Sequence, residues 1–178
     1  PLETVLSQKP ARLPGDLNTT RQLRAWLRIE ADNRVTLLVG KVELGQGVLT
    51  ALAVIAADEL GLELSQIEMV SASTAHGPDE GMTSGSLSIQ DSGAAIRQAC
   101  AQVRQRTGLH GGDYWHALQG VSLDVEPQTL APTLASHQRR LTAKVKPTRL
   151  DCPAKIMGQP WFIHDLKPQG LVHARVLR

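Results

Sequence analysis

The 178 residues carry a formal net charge of +2, with 20% charged and only 3% aromatic side chains. Such a chain can bury one good core, or one domain plus part of another. Its dispersed basic residues make no nucleic-acid surface, and Asp58 and Glu59 break its longest apolar run, so no stretch can span a bilayer.

Residues 1–20 contain Pro10, Pro14 and Gly15 and show little periodicity, which predicts an extended arm lying on a partner surface or on the rest of the fold. The chain opens at Pro1 with no leader sequence, so the expected compartment is the cytoplasm, or the periplasm if a leader has been removed. From Leu23 the pattern turns β-rich. Leu23, Trp26, Leu27 and Ile29 precede Asp32-Asn33-Arg34, and Val35, Leu37, Leu38 and Val39 follow, which predicts a hairpin. Its second strand runs into Gly40-Lys41-Val42-Glu43-Leu44-Gly45-Gln46-Gly47 and then into a helix over Val48 to Leu60, closed by Gly61. That helix is apolar on nearly every face and should be buried. Strand, glycine loop and helix N-terminus together predict a phosphate or pyrophosphate seat, because the first amide N–H groups of a helix have no intrahelical partner. The loop is neither a Walker loop nor a Rossmann fingerprint.

Ser65 to Ser71 reads as a further strand, completing a βαβ unit whose crossover should be right-handed. Residues 74–82 are loop. A second motif, Thr83-Ser84-Gly85-Ser86-Leu87-Ser88, opens a helix from about Ser88 to Arg106, with Ala95, Ile96, Ala99, Cys100 and Val103 on one face and Arg97, Gln98, Arg104 and Gln105 largely opposite. Ser86 and Ser88 suit a helix cap, but four hydroxyls and a glycine in six residues exceed what a cap needs. Residues 108–120 read as an irregular connection, Leu118 to Val125 as a short strand, Glu126 to about His137 as loop, and Leu141 to Val145 as a strand. Cys100 and Cys152 lack C-x-x-C spacing and read as reduced, buried thiols. The six histidines show no metal-ligand spacing, so no metal bound by protein side chains is expected.

The run Gly40 to Leu60 resembles a cofactor loop in the molybdenum-binding subunit of the xanthine dehydrogenase and aldehyde oxidase family. It is similar above all to large subunits of the isoquinoline 1-oxidoreductase and nicotinate dehydrogenase type. The Thr83–Ser88 motif is similar to that family's T-x-x-S-x-S element. The tail from Asp151 to Leu166, with Gly170 to Arg178, resembles the opening of the family's hammerhead domain. What the resemblance implies is an α/β (α+β) fold: residues 1–20 as arm, 21–120 as molybdopterin-binding lobe, 121–150 as connection and 151–178 as the start of a hammerhead domain cut short. It places cofactor contacts on Leu44, Gly45, Gln46 and Gly47 and on Gly85, Ser86 and Ser88, with Gln46 approaching the oxo ligand of molybdenum.

The resemblance further implies a molybdopterin cofactor, in bacterial relatives usually the cytosine dinucleotide, carrying molybdenum. It implies oxidation of an N-heteroaromatic compound or an aldehyde with water as oxygen source, and electrons leaving through iron–sulfur clusters on a partner subunit. A larger partner chain would carry the rest of the site, including the glutamate base, which nothing in this chain matches. Glu43 and Glu80 flank the motifs and read as loop or structural carboxylates, so no catalytic residue is assigned. The alternative is a non-catalytic remnant or an assembly and cofactor-handling module that keeps the fold.

Overall fold

A computed structural model describes residues 10–141, 147–160 and 162–177. The chain divides into two compact units, residues 1–147 and 148–178. In the first, β1 (Leu27–Ile29) pairs antiparallel with β2 (Val35–Val39), and β2 pairs in parallel with β3 (Ile67–Ser71), giving the order β1-β2-β3. The predicted hairpin is present, but its first strand is short because Leu23–Ala25 forms a 3-10 turn. Asn33 turns the chain in the left-handed region, φ +61°. Its side chain also receives the Tyr114 amide at 2.9 Å and donates to Gly112 O at 2.8 Å.

Between the parallel strands runs α1 (Val48–Leu60), buried along most of its length, as its apolar composition requires. It ends in a Schellman motif: Gly61, φ +70°, donates to Asp58 O, and Leu62 N reaches Ala57 O at 2.9 Å. The strand expected over Ser65 to Ser71 starts two residues late, after a 3-10 turn at Leu64–Gln66. Helix α2 (Ala94–Thr107) packs beside α1. The π-helical turn Ile89–Gly93 precedes it, where continuous helix was expected. Its predicted apolar face is buried, and Cys100 with it. Gln98 and Gln102 are buried too, against expectation for Gln98, because residues 129–131 cross over them and accept their amide hydrogens at Ala131 O and Thr129 O.

The described part of the N-terminal arm, from Pro10, lies on this unit. Leu13 and Leu17 are inserted into the core, and Ala11 N bonds Gln128 O at 2.9 Å. The connection over 108–120 is more regular than expected: α3 (Tyr114–Ala117) plants Tyr114 in the core, its hydroxyl donating to Leu60 O at 2.7 Å. Leu118 to Val125 forms no strand: residues 118–120 make a turn, and the stretch after it accepts the Leu23 and Arg24 amides through Val125 O and Leu123 O. Residues 126–137 are loop as expected, apart from a 3-10 turn at Ser136–Gln138. The strand expected over Leu141 to Val145 falls, beyond Leu141, outside the described residues.

In the second unit, α4 (Cys152–Ile156) follows Asp151, whose carboxylate receives Arg149 at 2.7 Å and Lys155 at 2.6 Å. Those two cations hold the Asp151 carboxyl well below the ordinary range. Cys152 is partly exposed, and neither cysteine is in a disulfide. Leu171, His173 and Arg175 alternate with Val172, Ala174 and Val176, a period that in the sequence alone predicts a half-buried strand, but the segment forms no ladder and Val172 and Val176 are exposed. A strand is stable only against a neighbour, and none of the described residues supplies one there.

Candidate functional site

The first candidate loop leaves β2 at Gly40. Gly47, φ +76°, turns the chain into α1 in a conformation that disfavours a Cβ. The N-terminus of α1 carries the positive end of its dipole, but the expected anion seat is already filled from within the chain. The Glu43 carboxylate accepts the Gly45 and Gly47 amides on Oε1 at 2.9 and 2.8 Å, and the Leu49 amide on Oε2 at 3.3 Å. A phosphate would have to displace it. Glu43 is therefore a structural carboxylate, as its position in the loop suggests.

Gln46 is held by the same loop. Its Oε1 accepts the Leu44 amide at 2.6 Å and its Nε2 donates to Val42 O at 3.1 Å. The side chain is exposed and the bonds are local, so they fix its base while leaving it at the surface. Leu44 beside it is 71% exposed.

The second motif, forty residues on in sequence, folds against the first. Leu44, Gln46, Gly47, Val48 and Ala51 form one wall of a cleft of about 390 Å³, and residues 83–86 with Ser88 and Ile89 form the other. Six of the seven predicted contacts line it; Gly45 lies beside it, between Leu44 and Gln46. Gly85 and Ser86 are both left-handed, at φ +66° and +57°. Ser86 is not glycine, so this bend stores strain, a feature that concentrates at binding sites. No side-chain cap bond forms at the helix start after Ser88, so the capping explanation of these hydroxyls does not hold.

Four hydrogen bonds tie the loops together, and two of the residues that make them carry no direct sign of it in the sequence. The Gly40 amide donates to Glu80 Oε2 at 2.7 Å. The Lys41 ammonium donates to Glu80 O at 2.5 Å and to Met82 O at 3.4 Å. The Val42 amide donates to Thr83 Oγ1 at 2.9 Å. Glu80 stands out for its place beside the motif. Lys41 and Thr83 do not, since a lysine in a glycine loop and one hydroxyl among four look like surface groups. Glu80 and Lys41 are each 5% exposed. Burial raises the Glu80 carboxyl above its ordinary value; nearby Ser92, the Gly40 amide and the Lys41 charge oppose the rise, while Asp16 adds to it. Neither Glu80 Oε1 nor Ser92 Oγ completes a hydrogen bond.

Among the described residues no group of three His, Cys, Asp or Glu side chains is placed to hold a metal ion, and no helix is long and apolar enough to cross a membrane. What the cleft offers is backbone amides, hydroxyls, one carboxamide and an apolar rim that includes Leu44 and Ile89. That chemistry suits a polar, planar organic group larger than a single anion.

The family model of the molybdopterin cofactor-binding domain matches residues 6–129. A nicotinate dehydrogenase subunit of Pseudomonas putida is 29% identical over 183 aligned positions, covering 89% of this chain and 15% of that protein. Xanthine dehydrogenase of Blastobotrys adeninivorans is 34% identical over 85 positions, 48% of this chain and 6% of its own length. Aldehyde oxidase 4 of Cavia porcellus is 35% identical over 85 positions, again 48% of this chain and 6% of its own. The chain thus spans only a small part, 15% or less, of the length of these relatives.

Proposed function

The chain belongs to the molybdopterin cofactor-binding domain family, and from that premise we propose that it forms one wall of the cofactor site of a molybdenum hydroxylase. The observation that carries the proposal is the meeting of the 44–47 and 83–88 loops in one cleft. A group of molybdopterin's chemistry fits the residues present. Amides and hydroxyls of Gly85, Ser86 and Ser88 would meet its polar edge, Leu44, Gly45 and Gly47 would bring backbone close to it, and the small side chain of Ala51 in the α1 wall leaves room for a ring. Gln46 would present its carboxamide toward the metal end, its base already fixed by Val42 and Leu44.

When bound, the molybdenum–pterin group supplies the redox chemistry, oxidising an N-heteroaromatic compound or an aldehyde with oxygen taken from water. The chain's own contribution is position. Glu43 and Glu80 are both engaged by backbone amides, so neither is offered as the general base. A larger partner chain would carry that base and the rest of the site, and iron–sulfur clusters on a further subunit would receive the electrons. The cytosine dinucleotide form of the cofactor is the one proposed, and residues 151–178 are proposed to open a hammerhead-type domain.

The test is purification from the native host with every partner untagged, followed by molybdenum and pterin analysis. Molybdenum near one per complex, with a larger copurifying chain carrying iron and sulfide, supports the proposal. Release of cytidine monophosphate from the extracted cofactor supports the dinucleotide. A lone, folded chain without molybdenum contradicts the enzyme reading.

A further inference from the structure

We propose that Glu80, working with Lys41, is a positioning residue that sets the spacing of the two loops and hence the width of the cleft. The inference rests on the cofactor reading for its consequence, but not for its geometry. Neither side chain lines the cleft. Each instead reaches from its own loop to the other's backbone. Glu80 Oε2 receives the Gly40 amide at 2.7 Å, and the Lys41 ammonium returns to Glu80 O and Met82 O. Both are 5% exposed, and buried charges persist only where hydrogen bonds and opposite charge offset desolvation. Each charge is met by backbone groups across the loop junction, so any other spacing would strand a buried carboxylate or ammonium without its hydrogen bonds, which is strongly disfavoured.

The packing allows no slack here. A Cβ added at Gly40 would come within 2.7 Å of Pro78 O and 3.0 Å of Glu80 Cβ. The same carboxylate lies against Ser92, buried in the turn that follows Ser88, and both Glu80 Oε1 and Ser92 Oγ lack a partner. One buried group therefore borders the strand exit at Gly40, its own loop and the helix start beyond Ser88. Its isostere is informative. In Glu80→Gln the amide oxygen can keep the Gly40 bond while the NH2 group donates to Ser92 Oγ.

The test combines hydrogen exchange on the cofactor-depleted protein with pterin content of the native complex, for wild type, Glu80→Ala, Glu80→Gln and Lys41→Met. Glu80→Ala should speed exchange at least about tenfold in both 42–47 and 83–88 while α1 and α2 keep their protection, and Glu80→Gln should stay within about twofold of wild type. Pterin content should fall in Glu80→Ala and recover in Glu80→Gln. Unchanged exchange in either loop of Glu80→Ala, or acceleration spread evenly through α1 and α2, overturns the proposal. If Glu80→Ala does not fold, Lys41→Met is read by the same two criteria. A wild type without pterin whose loops still open in Glu80→Ala refutes the cofactor reading and upholds the clasp.

Discussion

Replacing Glu43 with alanine tests whether the first loop is built around its own carboxylate. The substitution removes three acceptor contacts at once, from the Gly45, Gly47 and Leu49 amides at 2.9, 2.8 and 3.3 Å. Loss of a capping acceptor costs about 0.5–2 kcal/mol, and loss of a negative charge at a helix N-terminus about 0.3–1 kcal/mol more. Glu43 is half-buried and the Leu49 contact is long, which argues for the middle of that range. We expect about 2 kcal/mol, or a fall in Tm of about 6 °C for a unit of this size. Glu43→Gln retains an acceptor oxygen but no charge and should lose about half as much. Thermal unfolding followed by circular dichroism reads both. The vacated amides should also take up an anion, so millimolar sulfate should restore part of the lost Tm in Glu43→Ala and do less for wild type. A Tm within about 1 °C of wild type would refute the capping role, because even the lower bound of the capping estimate exceeds it.

Tyr114 is the chain's single tyrosine, so absorbance titration reports it alone. Burial pushes its phenol up to about 12, and the folded protein should therefore resist ionisation until well above the unfolded value of about 10. A raised folded pKa stabilises the neutral form: its contribution is complete below about 10 and is lost as the pH rises through about 12. Tyr114→Phe removes the 2.7 Å bond to Leu60 O but leaves that carbonyl its Gly111 partner, so it should cost only about 1 kcal/mol. Glu80 follows the same sign. Its carboxyl is raised by burial, with Lys41 opposing and Asp16 reinforcing the shift, so its contribution to stability is complete only at acid pH and is lost as the pH rises through the folded value. The Tm of Glu80→Gln relative to wild type should therefore rise between about pH 4 and about pH 7; a constant difference would show that Glu80 titrates normally.

The features that local sequence determines are legible without the structure. Val48 to Leu60 is a helix with those boundaries because Gly47 and Gly61 each take the left-handed conformation that glycine tolerates. Asp32-Asn33 makes the hairpin turn, and the two cofactor motifs are recognisable as short strings. The rest depends on distant partners. Asp58 and Glu59 read only as the charges that break the longest apolar run, yet both are buried. Asp58 Oδ1 receives the Leu141 amide at 2.6 Å, and Glu59 binds Arg104 at 2.9 Å and the Leu134 amide at 3.1 Å, from segments no periodicity could bring to them. Gln98 reads as solvent-facing because nothing in α2 announces the 129–131 crossing. The Leu171–Val176 alternation has the right period for a strand, but period alone does not provide a ladder. The role of Glu43 has a local signal, since a carboxylate just before a helix N-terminus is a known cap; the loop's glycines instead suggest an external anion.

The central claim is that the cleft between residues 44–51 and 83–89 holds the pterin, and filling it from the α1 wall tests that most directly. Ala51→Phe adds bulk where α1 borders the cleft without removing any of the hydrogen bonds that shape it. The account predicts that the variant complex, purified alongside wild type, assembles with a Tm within a few degrees of it and with pterin content reduced at least about tenfold. Full pterin content in a folded Ala51→Phe complex would place the cofactor elsewhere and contradict the account.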